Sequence, residues 1–189
     1  TLDSDTRKNV ANAARGEARI AAERIEEGIE LLRTNNDAFR AFVLANKCMG
    51  EAADRRLKDV PREKISWRPF QLAFVLLNLP GLIDPKNDQR KFVELLFFPT
   101  GGGKTEAYLG LAAFQLVFRR FTLPGVRSSG LSVLMRYTLR LLTLDQLGRA
   151  AALICALELE RRAHPEDLGE WPFEIGLWVG SAATPNRLG

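Results

Sequence analysis

Five consecutive residues, Gly101, Gly102, Gly103, Lys104 and Thr105, carry the chemistry most plainly written in this chain. They follow the apolar run FVELLFF at 92–98 and the pair Pro99-Thr100, and they lead straight into AYLGLAAF, a helix former's sequence. Glycine tolerates positive φ and has no Cβ, so successive backbone N–H groups can converge on one anion. A helix that starts at once afterwards aims its unpaired N–H groups and positive dipole end at the same point. A lysine at that junction reaches the β- and γ-phosphates of a nucleotide, and the neighbouring threonine hydroxyl can ligate Mg²⁺. The pattern therefore predicts an ATP and Mg²⁺ site at Thr100, Gly101, Gly102, Gly103, Lys104 and Thr105. Lys104 and Thr105 are its catalytic pair, and Thr105 is its metal ligand. The bland alternative is an ordinary strand-to-helix turn with Lys104 as a surface charge; lysine and threonine at the required offsets weigh against it. Glu106 suits the helix dipole with or without nucleotide and is not expected to be catalytic.

The flanking elements must position that turn. Continuous apolar runs at 92–98, 131–136 (LSVLMR) and 173–180 (FEIGLWVG) predict strands covered on both faces. Helices are expected at 104–120 and 143–162 between them. The order βαβαβ predicts an α/β fold with a parallel sheet and helices on both faces. Upstream, residues 67–80 predict a helix entered through Pro69 and closed by Pro80-Gly81.

Residues 1–65 read differently. Ile25, Ile29 and Leu32 recur at helical spacing, TNND at 34–37 is a stop-and-cap cluster, and Phe39, Phe42, Val43, Met49, Ala53 and Leu57 approximate a second stripe ended by Pro61. An antiparallel helical pair is expected, packed on itself or on the next domain. The chain thus divides into a helical segment at 1–65 and a loop-bearing domain at 66–189.

Three further features bear on function. Gln71, in RPFQ, presents both donor and acceptor, so it can read an adenine edge. Arg136, Thr138 and Arg140 fall where the second expected strand meets a helix, the rim at which open α/β sheets place ligands. Between positions 119 and 149 six arginines face only Asp145, a local charge of +5 that phosphate-backbone contact needs, so these three are expected to touch nucleic acid. The size of Trp171 and Trp178 favours burial over base stacking. Thr184-Pro185 is a weak further contact, and His164 has no expected catalytic role.

The bulk numbers set limits. The chain has 189 residues, 46% of them hydrophobic, with 27 basic against 23 acidic side chains. That suffices for a sizeable core and permits a polyanionic partner without requiring one. Two distant cysteines and one histidine leave no zinc-ligand spacing and suit a reducing cytoplasm. No apolar run reaches the ~18 residues of a spanning helix, so no membrane partner is expected. The chain begins without methionine and stops on TPNRLG, which suggests a piece of something longer.

Phe98 stands where the strict P-loop pattern has glycine, and PTGGGKT suits the variant used by superfamily-2 helicases. RPFQLAFVLLNLP, LLFFPTGGGKTEAYLGLAAF and VLMRYTLRLLTLDQLGRA together resemble the first RecA-like domain of that superfamily. More narrowly, they and FRAFVLANKCMGEA resemble the helicases of the bacterial DISARM anti-phage system. The resemblance is strongest over 39–50 and 67–150. It implies an incomplete RecA-like domain, ATP-driven movement on DNA, and other defence subunits, such as DrmB, as partners. It assigns ATP-site roles to Gln71, Gly101, Gly103, Lys104 and Thr105, and a DNA role to Thr138 with its arginine neighbours. After Thr105 there is no Asp-Glu box and no second motor domain, so weak binding and scant hydrolysis are expected of the isolated chain. Two other readings compete. A P-loop small-molecule kinase would need a lid and acceptor pocket that nothing after Gly110 suggests. A P-loop ATP-binding module that orders a protein interface would need no motor.

Overall fold

The computed structural model describes residues 3–99, 101–123, 125–137 and 140–178, with positions 140–144 described by backbone alone. Among the described residues six α-helices follow in order: α1 (Ser4–Thr34), α2 (Asn36–Arg56), α3 (Pro69–Ile83), α4 (Lys104–Thr122), α5 (Arg140–Ala163) and the single turn α6 (Pro165–Leu168). Short 3₁₀ turns punctuate the connections.

The expected parallel sheet is absent among the described residues, which contain no strand, so the α/β RecA-like assignment is overturned. Residues 92–98, 131–136 and 173–178 carry no regular secondary structure, and no backbone ladder joins them to one another or to other described residues. A continuous apolar run reads as a buried strand only if layers cover both its faces. Here Val93, Leu95 and Phe97 are 85–95% exposed, as are Leu131 and Leu134 at over 70%. Only the inner side of 92–98 is anchored. Arg24 of α1 reaches Glu94 at 2.6 Å, and the Phe98 ring stacks on Phe70 with centroids 3.8 Å apart.

Helix packs on helix instead. Asn35 closes α1 through its backbone N–H to the Leu31 carbonyl, and its side chain accepts from the Ala38 N–H to open α2. The two helices diverge from this joint: α1 lies on α3, while α2 lies between α4 and α5. The face that α2 buries is Ala38, Ala41, Ala45, Cys48 and Ala52, at helical spacing. Phe39 and Val43, expected in its apolar stripe, are each 51% exposed. Small side chains let α2 approach α4 closely, and bulkier ones would hold the helices apart. The core continues through Leu79, Phe114, Val117, Leu153, Leu157 and Leu168. Burial pushes the Cys48 thiol up to about 12, so it packs as a neutral group.

Helix α3 departs from expectation at its end. It runs through Pro80 to Ile83, and Pro80 is buried. Proline has no N–H, so the Leu76 carbonyl lacks its usual donor one turn on. That carbonyl faces Gly28 of α1, where a Cβ would stand 2.1 Å from the oxygen. The glycine makes room for an under-bonded carbonyl, and Arg24 adds a donor to the neighbouring Leu77 carbonyl at 3.4 Å.

At the other end of the chain, Glu158 of α5 ties down the segment beyond α6. It takes both arms of Arg161 at 2.8 Å, Arg162 at 2.9 Å and the Phe173 N–H at 3.0 Å. Its carboxyl is held down at about 2, with the Arg161 hydrogen bonds the largest cause. No helix among the described residues is long and apolar enough to cross a membrane.

Candidate functional site

The glycine-rich turn sits between the segment at 92–98 and α4. Gly101 and Gly103 have φ of 79° and 90°, values that glycine alone adopts without strain. The Gly102 N–H closes a turn on the Pro99 carbonyl at 3.0 Å. Gly103 is the N-cap of α4, and no side chain among the described residues caps it. Thr100 lies outside the described residues.

Two residues at the start of α3 set the orientation of the turn. The Arg68 guanidinium donates to the Gly102 carbonyl at 2.7 Å, and the Gln71 amide donates to the Gly103 carbonyl at 2.7 Å. In a trans peptide the C=O of one residue and the N–H of the next point in opposite directions. Drawing these two carbonyls toward α3 therefore turns the N–H groups of Gly103 and Lys104 to the opposite side. Gln71 is 4% exposed, and its carbonyl accepts the Arg68 N–H at 2.8 Å, so donor and acceptor both serve protein. A Cβ on Gly103 would meet the Gln71 nitrogen at 2.6 Å, so this contact needs glycine.

The Lys104 ammonium reaches back across the turn to the Phe98 carbonyl and, at 3.2 Å, to the Pro99 carbonyl. Thr105 is half-buried in the first turn of α4. Glu106 accepts from Arg56 of α2 at 3.1 Å and Arg149 of α5 at 3.0 Å. Sequence reasoning does not place Arg68, Arg56 or Arg149 in this site. Only Arg68 leaves a signal there, standing inside RPFQ.

The basic stretch is less available than its charge suggests. Arg119 donates to the carbonyls of Arg127, Ser129 and Leu131 and to the Ser132 hydroxyl. Arg120 is 9% exposed, bonds Ser128 and the Pro172 carbonyl, and lies 4.6 Å over the Phe173 ring. Arg149 belongs to Glu106. Three of the six arginines thus hold the fold together. Arg136 is exposed, Thr138 lies outside the described residues, and Arg140 is described by backbone alone as the first residue of α5. Trp171 is 46% exposed and Trp178 99%, against their expected burial, because the layer that would bury them is not present among the described residues.

A cleft of about 1280 Å³ opens between α4, α5 and the segments at 131–137 and 171–178. Arg136, Tyr137 and Gln146 stand in its wall, whereas no residue of the glycine turn does.

By geometry the site is of the class of glycine-rich turns that feed a helix N-terminus. The chain is similar to DISARM protein DrmA of Bacillus paralicheniformis, with 45% identity over 182 residues. The alignment covers 87% of this chain and 16% of that protein, so the chain spans about a sixth of the length of its relative. No protein-family model matches the chain, and no solved structure matches it significantly.

Proposed function

We propose that this chain carries the ATP-binding loop and part of the DNA-contacting rim of an ATP-dependent DNA helicase or translocase in a bacterial phage-defence complex. The supporting observation is the oriented turn: Arg68 and Gln71 hold two loop carbonyls, so that consecutive amides face away from α3 beside an uncapped helix start. The similarity to DISARM protein DrmA supports the defence setting, with other subunits of such a complex, DrmB among them, as partners.

The residues fit an anion. A Cβ at Gly101 would meet nothing within 4 Å, so the turn is open on that side. ATP with Mg²⁺ supplies the phosphoanhydride bond and a cation that offsets its charge. Lys104 exchanges its loop carbonyls for phosphate oxygens, a stronger charge-assisted contact. The Thr105 hydroxyl would hold the cation, and the outward-facing amides of Gly103 and Lys104 would line the phosphates. Gln71 keeps one N–H and one lone pair beyond those already used, enough for an adenine edge. Arg136, Thr138 and Arg140 contact the DNA backbone.

Lys104→Ala in the full-length polypeptide lowers DNA-stimulated ATPase at least about tenfold. A wild-type rate refutes the reading. Arg136→Ala weakens DNA binding uniformly across sequences and reduces the slope of log affinity against log salt by about one. An unchanged slope removes Arg136 from the interface.

One observation favours the second reading, a module that orders a protein interface. The Lys104 contact with Phe98 links the loop to the exposed apolar side chains of 92–98. ATP-dependent partner binding without DNA-stimulated hydrolysis distinguishes it.

A further inference from the structure

Glu106 is the third residue of α4 and comes directly after Lys104 and Thr105. One of its oxygens receives both Arg56, the last residue of α2, and Arg149 of α5. Its other oxygen lies 3.4 Å from where a Cβ on Gly103 would stand. The carboxylate is therefore wedged between two guanidiniums and the glycine turn. Arg149 also meets Asp145 at 3.3 Å, and the Glu106 and Arg149 side chains are each only 25% exposed.

This placement poses an electrostatic problem. A carboxylate in the first turn suits the helix dipole when the turn is empty, but it repels a triphosphate bound at the same helix end. Two arginines against Glu106 and Asp145 bring the cluster to a net charge of zero. Partial enclosure makes that balance count for more than it does between exposed charges.

We propose that Arg56 and Arg149 are positioning residues for the nucleotide loop, acting through Glu106. They cancel the repulsion its carboxylate exerts on the phosphates while their hydrogen bonds hold the first turn of α4 in line. The inference rests on the nucleotide reading above. It makes α2 part of the nucleotide site, because Arg56 is its last residue.

The test is the affinity of the full-length polypeptide for a non-hydrolysable ATP analogue with Mg²⁺. Arg56→Gln and Arg149→Gln, two independent routes to the same imbalance, each weaken binding roughly fivefold, and the loss shrinks at high salt. Adding Glu106→Gln to either variant recovers most of the affinity, because the glutamine still accepts hydrogen bonds but carries no charge. A purely structural role gives no such rescue. Loss without rescue overturns the proposal, as does unchanged affinity in both arginine variants when Lys104→Ala still abolishes binding. If Lys104→Ala also leaves binding intact, it is the underlying nucleotide reading that fails.

Discussion

Gly28→Ala destabilises the protein by about 2 kcal/mol, the reverse of what helix propensity assigns to a glycine inside a long helix. Alanine is favoured over glycine in a helix interior by about 1 kcal/mol. At Gly28 the added methyl would stand 2.1 Å from the Leu76 carbonyl oxygen and 2.9 Å from its carbon. Both are backbone atoms of α3, so neither can swing aside, and α1 has to lift. Overpacking of this kind costs about 1–3 kcal/mol and more where backbone is the obstacle. The net loss lowers the melting temperature by roughly 4–8 °C for a chain of this size. Gly16, in the same helix, has nothing within 4 Å of its Cβ position, so Gly16→Ala is the control and raises stability slightly. Parallel thermal melts decide the matter. If Gly28→Ala melts at or above the wild-type temperature, α1 and α3 do not cross at Leu76.

Glu158→Gln has the second large effect, and its signature is a pH dependence. The Glu158 carboxyl lies at about 2 in the folded chain against an ordinary 4.5. A depressed carboxyl stabilises the fold above its unfolded value, and that contribution disappears as pH falls from 4.5 toward 2. The shift sets a ceiling of roughly 3 kcal/mol, which solvent at a side chain 15% exposed reduces to about 2. Wild type and Glu158→Gln therefore differ by about that amount in urea melts at about pH 7 and converge near pH 2. A difference that stays constant across this range places the stabilisation elsewhere than in the charge on Glu158. The same change frees the segment leading to Phe173, since Arg161 also bonds the Gly169 and Glu170 carbonyls from its place beside Glu158.

Helices are legible in the sequence where caps and periodicity agree. Asn35 announces the break between α1 and α2, Pro69 the start of α3, and Lys104 the start of α4. Packing faces are less legible. Hydrophobicity points to Phe39 and Val43 on α2, yet alanines win because a close helix crossing rewards small volume over large apolar area. Pro80 looks like a terminator. It sits inside α3 because the carbonyl it deprives of a donor, on Leu76, has Gly28 of α1 beside it, a long-range contact that no local pattern encodes. The strands fail for a related reason: an apolar run shows that a segment wants cover, not that cover exists. At the loop, glycine, lysine and threonine spacing identifies the turn itself. It offers no view of the carbonyl anchors at Arg68 and Gln71 or of the arginine pair on Glu106, which depend on how α2, α3 and α5 are assembled.

Asn35 serves two helices at once, and this leaves no slack between them. Each residue added to a helix rotates all later side chains by about 100° around its axis. An insertion between Gly28 and Ala38 would thus turn the alanine face of α2 away from α4 while α1 stayed pinned at Leu76. That interval therefore tolerates no change of length, and at Asn35 it also needs a side chain that can accept the Ala38 N–H.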